Sequence, residues 1–198
     1  MNELTTLSIA MGASWASGVR LYGAVATLGL LQYFKLAQLP GGLETLGHPW
    51  VFGLALILFV CEFLADKVPY FDSVWDAIHT FIRIPAGAIL ASTAFAHYPT
   101  HVVVAAGLVG GTLALTSHTS KSANRFVLNH SPEPVSNWTH SLFQDFVGLA
   151  MVAISPFLPM LTIGLVLLLV LVSVLIFKRI WPMLSKHIGK WQSKKGSG

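Results

Sequence analysis

Four ionisable residues share one face of a predicted helix in an otherwise apolar chain. Asp72, Asp76, His79 and Arg83 follow one another at steps of four, three and four residues, and residues at these spacings lie on the same side of an α-helix. An arginine there can bind an anion, while histidine and carboxylates can carry a proton or hold a cation. Pro85 follows and leaves a carbonyl of the helix without its usual donor. The pattern predicts an ion or anion site within a membrane span.

A second polar stretch extends from His118 to Asp145. Within it, His118, Lys121 and Arg125 recur at helical spacing beside the exit of a predicted span. The first stretch, residues 62–83, holds four acids and two bases, whereas the second holds two acids and two bases. The two stretches would form a cytoplasmic vestibule with one acidic and one basic side, which suits a zwitterionic or metal-bridged phosphate ligand. A solvated rim of long basic side chains is the alternative interpretation.

Each ionisable residue near the spans has a predicted role. The residues predicted to contact a solute are Arg20, His79, Arg83, Lys121, Arg125 and Asp145. Those predicted to couple a proton or to bind a metal are Glu62, Asp66, Asp72 and Asp76. A divalent or monovalent cation is therefore the candidate cofactor. The structural alternative is an Arg83 that is held by Asp145, Asp76 or Glu62 and binds no ligand.

The composition indicates the environment of these residues. Of 198 residues, 54% are hydrophobic and only 10% are charged, whereas a soluble domain carries about 25% charged residues. The apolar stretches predict an all-α integral membrane protein with about six transmembrane helices, near residues 5–34, 49–66, 73–97, 100–118, 135–155 and 159–180. The first span is too long for one upright helix and has Arg20 near its middle, so a tilted, broken or re-entrant helix is expected. The single Cys61 excludes a disulfide within the chain.

Basic residues predict the orientation in the membrane. Lysines and arginines cluster after residue 177, and cytoplasmic segments of membrane proteins are enriched in these residues. We expect a single transmembrane domain at 1–181 and a basic cytoplasmic tail at 182–198. Six spans then place both termini in the cytoplasm, with the protein in an inner or plasma membrane. The basic tail reflects topology, and no nucleic-acid partner is predicted.

Spans two and three, and spans four and five, form two predicted helical hairpins that look related. When the two are aligned, Pro69, Ser73 and Trp75 fall on Pro132, Ser136 and Trp138. This suggests a diverged duplication around a shared polar site, although the identities are few enough for chance. A homodimer is reasonable for so small a chain, and the small residues Gly107 and Gly111 offer a contact face.

These features favour a membrane transporter or channel-like protein for a small charged, chiefly anionic, solute. The alternative is a metal-dependent membrane enzyme or binding protein for a phosphorylated or lipid-phosphate substrate, with Asp66, Asp72 and Asp76 as Mg²⁺ ligands. A scaffold protein ranks last because the loops offer little surface. The chain has no nucleophile elbow, P-loop or dinucleotide fingerprint, which leaves the enzyme question open and favours a non-enzyme.

The polar motifs also resemble those of a known family. They comprise Pro40-Gly41-Gly42-Leu43-Glu44, the string Glu62-x3-Asp66-Lys67-x-Pro69-x2-Asp72-x2-Trp75-Asp76-x2-His79-Thr80-x2-Arg83-x-Pro85-Ala86-Gly87, and then Lys121, Arg125, Ser131-Pro132-Glu133-Pro134 and Asn137. Over residues 8–155 this pattern is similar to the small membrane proteins termed domain of unknown function 4126. The resemblance implies a polytopic membrane protein and brings no activity with it.

Overall fold

The chain folds into α-helices at the places where spans are predicted. The computed structural model describes residues 2–65, 71–128 and 134–195, and describes side chains at 2–65, 78–123 and 142–179. The helices are α1 (Glu3–Tyr33), α2 (Pro49–Ala65), α3 (Phe71–Ala94), α4 (Thr100–Leu128), α5 (Pro134–Ile154) and α6 (Pro159–Lys195), with a short 3-10 helix (Gly41–Gly47) before α2. No strand occurs in these ranges, which confirms the all-α prediction. The predicted boundary between domain and tail at residue 181 lies within α6.

Fewer helices qualify as membrane spans than the sequence predicts. Thr100–Ala123 and Pro159–Arg179 are long and apolar enough to cross a membrane. A third span results if the 3-10 helix and α2, which meet at a bend of 74°, are counted together. Length and composition thus identify two or three candidate spans among the described residues, and the count of six remains a prediction.

Helix α1 lies at the centre of the fold and packs against every other helix. Its small side chains allow this, as the packing at Gly18 illustrates: a Cβ atom there would collide with the carbonyl oxygen of Ala114 and with Ser117 on α4. The serines Ser14 and Ser17 are fully buried. Small residues on α1 therefore allow neighbouring helices to pack closely against it.

The described residues do not show the predicted hairpins as close-packed pairs of helices. α2 barely touches α3, and α4 barely touches α5, whereas α2 and α5 both pack on α1. The most extensive contact in the fold joins α3 to α4, one helix from each predicted hairpin. The hairpin arrangement and the duplication are therefore not confirmed, because α1 supplies the surface on which each pair was expected to meet.

The face proposed for a homodimer contact packs inside the chain. A Cβ atom on Gly107 would lie 3.6 Å from the carbonyl oxygen of Ala88, and one on Gly111 would lie 3.4 Å from the Ala88 Cβ. Both distances are ordinary van der Waals contacts with α3. These glycines thus belong to the α3–α4 contact, and a homodimer remains a prediction without an assigned face.

The loop before α2 explains the first motif of the family pattern. Gly41 has a φ of 57°, which is the left-handed region that glycine adopts at little cost. A Cβ atom at this position would lie 2.8 Å from the carbonyl oxygen of Ala94, at the end of α3. Gly41 and Gly42 can therefore lie directly on the last turn of α3 only because they have no side chains.

Large apolar side chains are exposed on the outer faces of the helices, and charged side chains are buried between them, unlike in a soluble protein. Leu108 on α4 is 70% exposed and Ile57 on α2 is 63% exposed, while Arg20 and Arg83 are entirely buried. A soluble protein rarely buries arginine completely. Apolar side chains that point outward and charges that point inward are typical of helices that meet lipid.

Candidate functional site

The central helix α1 is interrupted at Arg20, as the sequence predicts for a broken first span. Arg20 has extended backbone angles, φ −146° and ψ 79°, inside an otherwise helical segment. Such a break deprives nearby carbonyl groups of their helical donors. Lys121 of α4 donates from Nζ to the carbonyl oxygen of Val19, at 3.2 Å. Because Val19 ends the first half of α1, the lysine also places a positive charge at the negative end of a helix dipole.

One turn earlier, a serine of α4 makes a similar contact. Ser117 Oγ lies 2.7 Å from the carbonyl oxygen of Trp15 and 3.1 Å from that of Ala114. Ser117 and Lys121 are four residues apart, so they lie on the same face of α4. This face therefore follows the backbone of α1 up to the break and supports it with side-chain donors.

The Arg20 side chain forms a two-pronged ion pair with Asp145 of α5. Nε lies 2.6 Å from Oδ1 and Nη2 lies 2.6 Å from Oδ2. Both carboxylate oxygens are thus engaged, in the geometry that makes arginine–carboxylate pairs specific. The guanidinium also lies over the Phe63 ring, 5.9 Å from its centroid. The break in α1 is therefore fastened to α5 and to α2.

The second arginine, Arg83 of α3, pairs with Glu62 of α2. Arg83 Nη2 lies 2.5 Å from Glu62 Oε1, and both side chains are wholly buried. The sequence suggests three partners for Arg83. Of these, Glu62 pairs with Arg83, Asp145 pairs with Arg20, and the side chain of Asp76 lies outside the described residues. The other carboxylate oxygen, Oε2, is buried and accepts no hydrogen bond from the described part of the chain. This pair is therefore joined through one carboxylate oxygen only.

A histidine of α4 lies on the other side of the Arg83 guanidinium. Arg83 Nη1 and His118 Nδ1 are 3.4 Å apart, and His118 Nε2 lies 2.7 Å from Thr80 Oγ1. Because a guanidinium can only donate, this contact requires His118 to present Nδ1 as an acceptor and to carry its proton on Nε2. A neutral imidazole in this tautomer satisfies the contacts with Arg83 and Thr80.

The other histidine of the site connects α3 to α1. His79 Nε2 lies 3.2 Å from the hydroxyl oxygen of Tyr22, and the two rings meet edge to face at 5.7 Å. His79 is 5% exposed. Tyr22 follows Arg20 by two residues, so this contact lies on the second half of α1, just beyond the break.

All six predicted site residues whose side chains the structure describes come together around the break. Glu62, His79, Arg83, Lys121, Asp145 and Arg20 are all buried and belong to five different helices. Asp66 and the side chains of Asp72, Asp76 and Arg125 lie outside the described residues, so their predicted roles remain predictions. Sequence reasoning missed Tyr22, Phe63, Thr80 and Ser117. Only Ser117 carried a usable signal, since it precedes the predicted base Lys121 by one helical turn.

The described residues form no metal site. No group of three or more histidine, cysteine or carboxylate side chains is close enough there to hold a metal ion. Glu62, which the sequence offers for metal or proton coupling, and Asp145 each face an arginine instead. The three aspartates predicted to bind Mg²⁺ lie outside the described side chains.

Comparison with known proteins is consistent with the motif pattern. No curated protein and no solved structure matches the chain. Residues 7–179 match the family model described as "Domain of unknown function (DUF4126)". The match extends beyond the resemblance seen in residues 8–155 and includes the apolar part of α6. Since it covers most of the chain, including both arginine–carboxylate pairs, the protein belongs to the DUF4126 family.

Proposed function

We propose that this protein transports a small anionic solute and that Arg83 is the residue that binds the anion. The observation that carries the proposal is the break of the central helix α1 at Arg20, where two buried arginine–carboxylate pairs converge. Charges inside a membrane are costly and are retained mainly where they act on ions or solutes. Discontinuous helices near the middle of the membrane commonly form the solute sites of transporters.

The proposal includes six membrane crossings with both termini in the cytoplasm. Even the shortest α-helix, α2, has 17 residues, which corresponds to about 26 Å against a hydrocarbon core of about 30 Å. The exposed apolar side chains of α2 and α4 support contact with lipid on both helices. The basic residues of the C-terminal segment support the orientation.

The chemistry of Arg83 favours an anion as the solute. Its guanidinium already binds one carboxylate oxygen of Glu62, and a planar oxyanion or small carboxylate presents the same oxygen geometry. Arg20 fits this role less well because it engages both carboxylate oxygens of Asp145, whereas Glu62 Oε2 accepts no hydrogen bond from the described residues. A fully buried pair can be reached only when the surrounding helices open, as alternating access requires.

A binding screen with a charge-neutral variant tests this function. Wild type and the double variant Glu62→Gln/Arg83→Gln are compared by thermal shift with chloride, nitrate, acetate and phosphate, each with and without Mg²⁺. The double variant removes both charges, so neither is left buried without its counterion. At about 100 times its Kd, an anion should stabilise the wild type by about 2.7 kcal/mol. We expect no such gain in the double variant.

The exposed residue Glu44 gives a matched control, since Glu44→Gln changes the charge outside the site. This control variant should respond to anions as the wild type does. Equal stabilisation of the double variant would contradict the proposal, as would the absence of any anion effect on the wild type. Stabilisation by phosphate that needs Mg²⁺ and is lost in Asp72→Asn would favour the metal-dependent enzyme.

A further inference from the structure

We infer that anion binding at Arg83 is coupled to protonation of Glu62, so that one proton travels with each monovalent anion. The inference rests on the proposed function, because it requires an anion at Arg83. It adds the coupling ion, the residue that carries it and the stoichiometry. The class of solute is a small monovalent oxyanion or carboxylate that can replace the Glu62 carboxylate on the guanidinium.

The burial of the pair provides the physical reason. Glu62 and Arg83 are both 0% exposed, and a carboxylate without a counterion in such a place is strongly unfavourable. An incoming anion that replaces Glu62 on the Arg83 guanidinium would leave the Glu62 carboxylate buried without a counterion. Protonation removes the cost, because a neutral carboxyl group needs no counterion. The total charge of the buried pair and its ligand then stays the same.

The exchange balances in charge and protons. The paired state holds the Glu62 carboxylate on the Arg83 guanidinium. The anion enters with one proton from water, the proton bonds to a Glu62 oxygen, and the anion replaces the carboxylate on Arg83. Oxygen Oε2 is a suitable place for the proton, since it is buried and accepts no hydrogen bond from the residues that the structure describes. Release of the anion on the other side returns the proton to water and restores the pair.

The other charged and titratable groups facing this region are less suitable carriers. Among the residues whose side chains the structure describes, they are Arg20 and Tyr22 on α1, His79 on α3, His118 and Lys121 on α4, and Asp145 on α5. Asp145 has both oxygens on Arg20. His118 Nδ1 accepts from the Arg83 guanidinium, so the imidazole lies next to that charge. Protonation of His118 would therefore place a second positive charge beside Arg83. His79 is engaged with Tyr22. Glu62 is the group whose protonation compensates directly for the arriving anion.

The dependence of nitrate affinity on pH tests the coupling. Nitrate is planar like a carboxylate and takes up no proton in this range. If each bound nitrate brings one proton, its Kd should rise about tenfold for each pH unit between about pH 6 and pH 8, because the required proton becomes scarcer. Glu62→Gln resembles the protonated state. This variant should bind nitrate with a Kd that does not change with pH.

Two histidine variants test the competing proton carriers. His118→Gln and His79→Gln each remove a titratable group of the site, so the affinity for nitrate is expected to change, whereas the tenfold slope with pH should remain. The coupling is overturned if the wild type shows no slope, if Glu62→Gln keeps the slope, or if a histidine variant alone loses it. Should Glu62→Gln fail to fold, a pH indicator dye can measure proton uptake by the wild type, with one proton expected per nitrate and zero contradicting the inference.

These outcomes separate the two proposals. Nitrate binding without proton uptake overturns the coupling and leaves an anion site at Arg83. Failure of nitrate, chloride, acetate and phosphate alike to bind at any pH overturns the proposed function itself.

Discussion

The two buried arginine–carboxylate pairs differ in how completely they are joined. Arg20 binds both oxygens of Asp145 through two nitrogens, while Arg83 binds one oxygen of Glu62 and the other oxygen has no hydrogen-bond donor in the described residues. The first pair fastens the break in α1 to α5. The second joins α2 to α3, two helices that otherwise barely touch.

This difference suggests that the two pairs have different roles. A closed, two-pronged pair gives geometric specificity and holds helices in place. A pair with a single contact is easier to exchange, and in an opening between helices it can accept a solute in place of its carboxylate. We therefore assign structure to Arg20–Asp145 and exchange to Arg83–Glu62. The following changes test that assignment, beginning with the largest expected effect.

Loss of the Asp145 charge should destabilise the protein most. Asp145→Asn leaves the Arg20 guanidinium buried without its counterion, and breaking a buried pair in this way costs about 3–5 kcal/mol. Replacing both residues, as in Arg20→Met/Asp145→Leu, should recover most of this loss. The free energy of unfolding in detergent gives the measurement. Recovery of the single variant by nitrate would show that this pair also exchanges, against the assignment.

Loss of the Glu62 charge should cost less and should be compensated by an anion. In Glu62→Gln the Arg83 guanidinium is also left buried without its counterion, but the amide oxygen can still accept from Arg83, so we expect a loss near the lower end of about 3–5 kcal/mol. Saturating nitrate should restore the stability because it supplies the missing negative charge. The same unfolding measurement, with and without nitrate, tests this. A variant that nitrate leaves unchanged would argue for a structural role of Glu62.

A methyl group at Gly87 should disturb the Arg83 side of the site selectively. The new Cβ would lie 2.5 Å from the Ala114 Cβ and 2.8 Å from Ser17 Oγ. The backbone of α3 would therefore have to move at Gly87, which lies one helical turn after Arg83. Overpacking of this kind costs about 1–3 kcal/mol. Gly107→Ala on the same contact is the control, with only ordinary contacts expected. We expect weaker nitrate binding in Gly87→Ala alone, and equal binding in both variants would contradict this.

Removal of the Ser117 hydroxyl should have the smallest effect. Ser117→Ala takes one donor from the Trp15 carbonyl near the break, a loss of about 1 kcal/mol. Thr112→Ala is the control, because its hydroxyl bonds only within α4 among the described contacts. Thermal unfolding should separate the two variants. Equal stability would mean that the Ser117 contact does not support α1.

The sequence predicts the helices and the break better than the pairing of charges. Apolar length placed the six described helices, and the excessive length of the first span, with Arg20 near its middle, indicated a tilted, broken or re-entrant helix, because both are local properties. Partners are not local: Arg20 and Asp145 are 125 residues apart, and only the packing of α5 on α1 brings them together. The hairpin arrangement is not confirmed for the same reason, since α2 and α5 both pack on α1 in the described residues. The 3-10 helix was missed because its glycine-rich sequence carries little helical signal.

Uptake of nitrate into liposomes tests the coupled exchange at Arg83–Glu62 most directly. One proton with each nitrate carries no net charge, so the account predicts uptake that is driven by an inward proton gradient and does not respond to a membrane potential set with potassium and valinomycin. Glu62→Gln should lose the response to the proton gradient. Wild-type uptake that follows the membrane potential and ignores the proton gradient would contradict the account and would identify an anion channel.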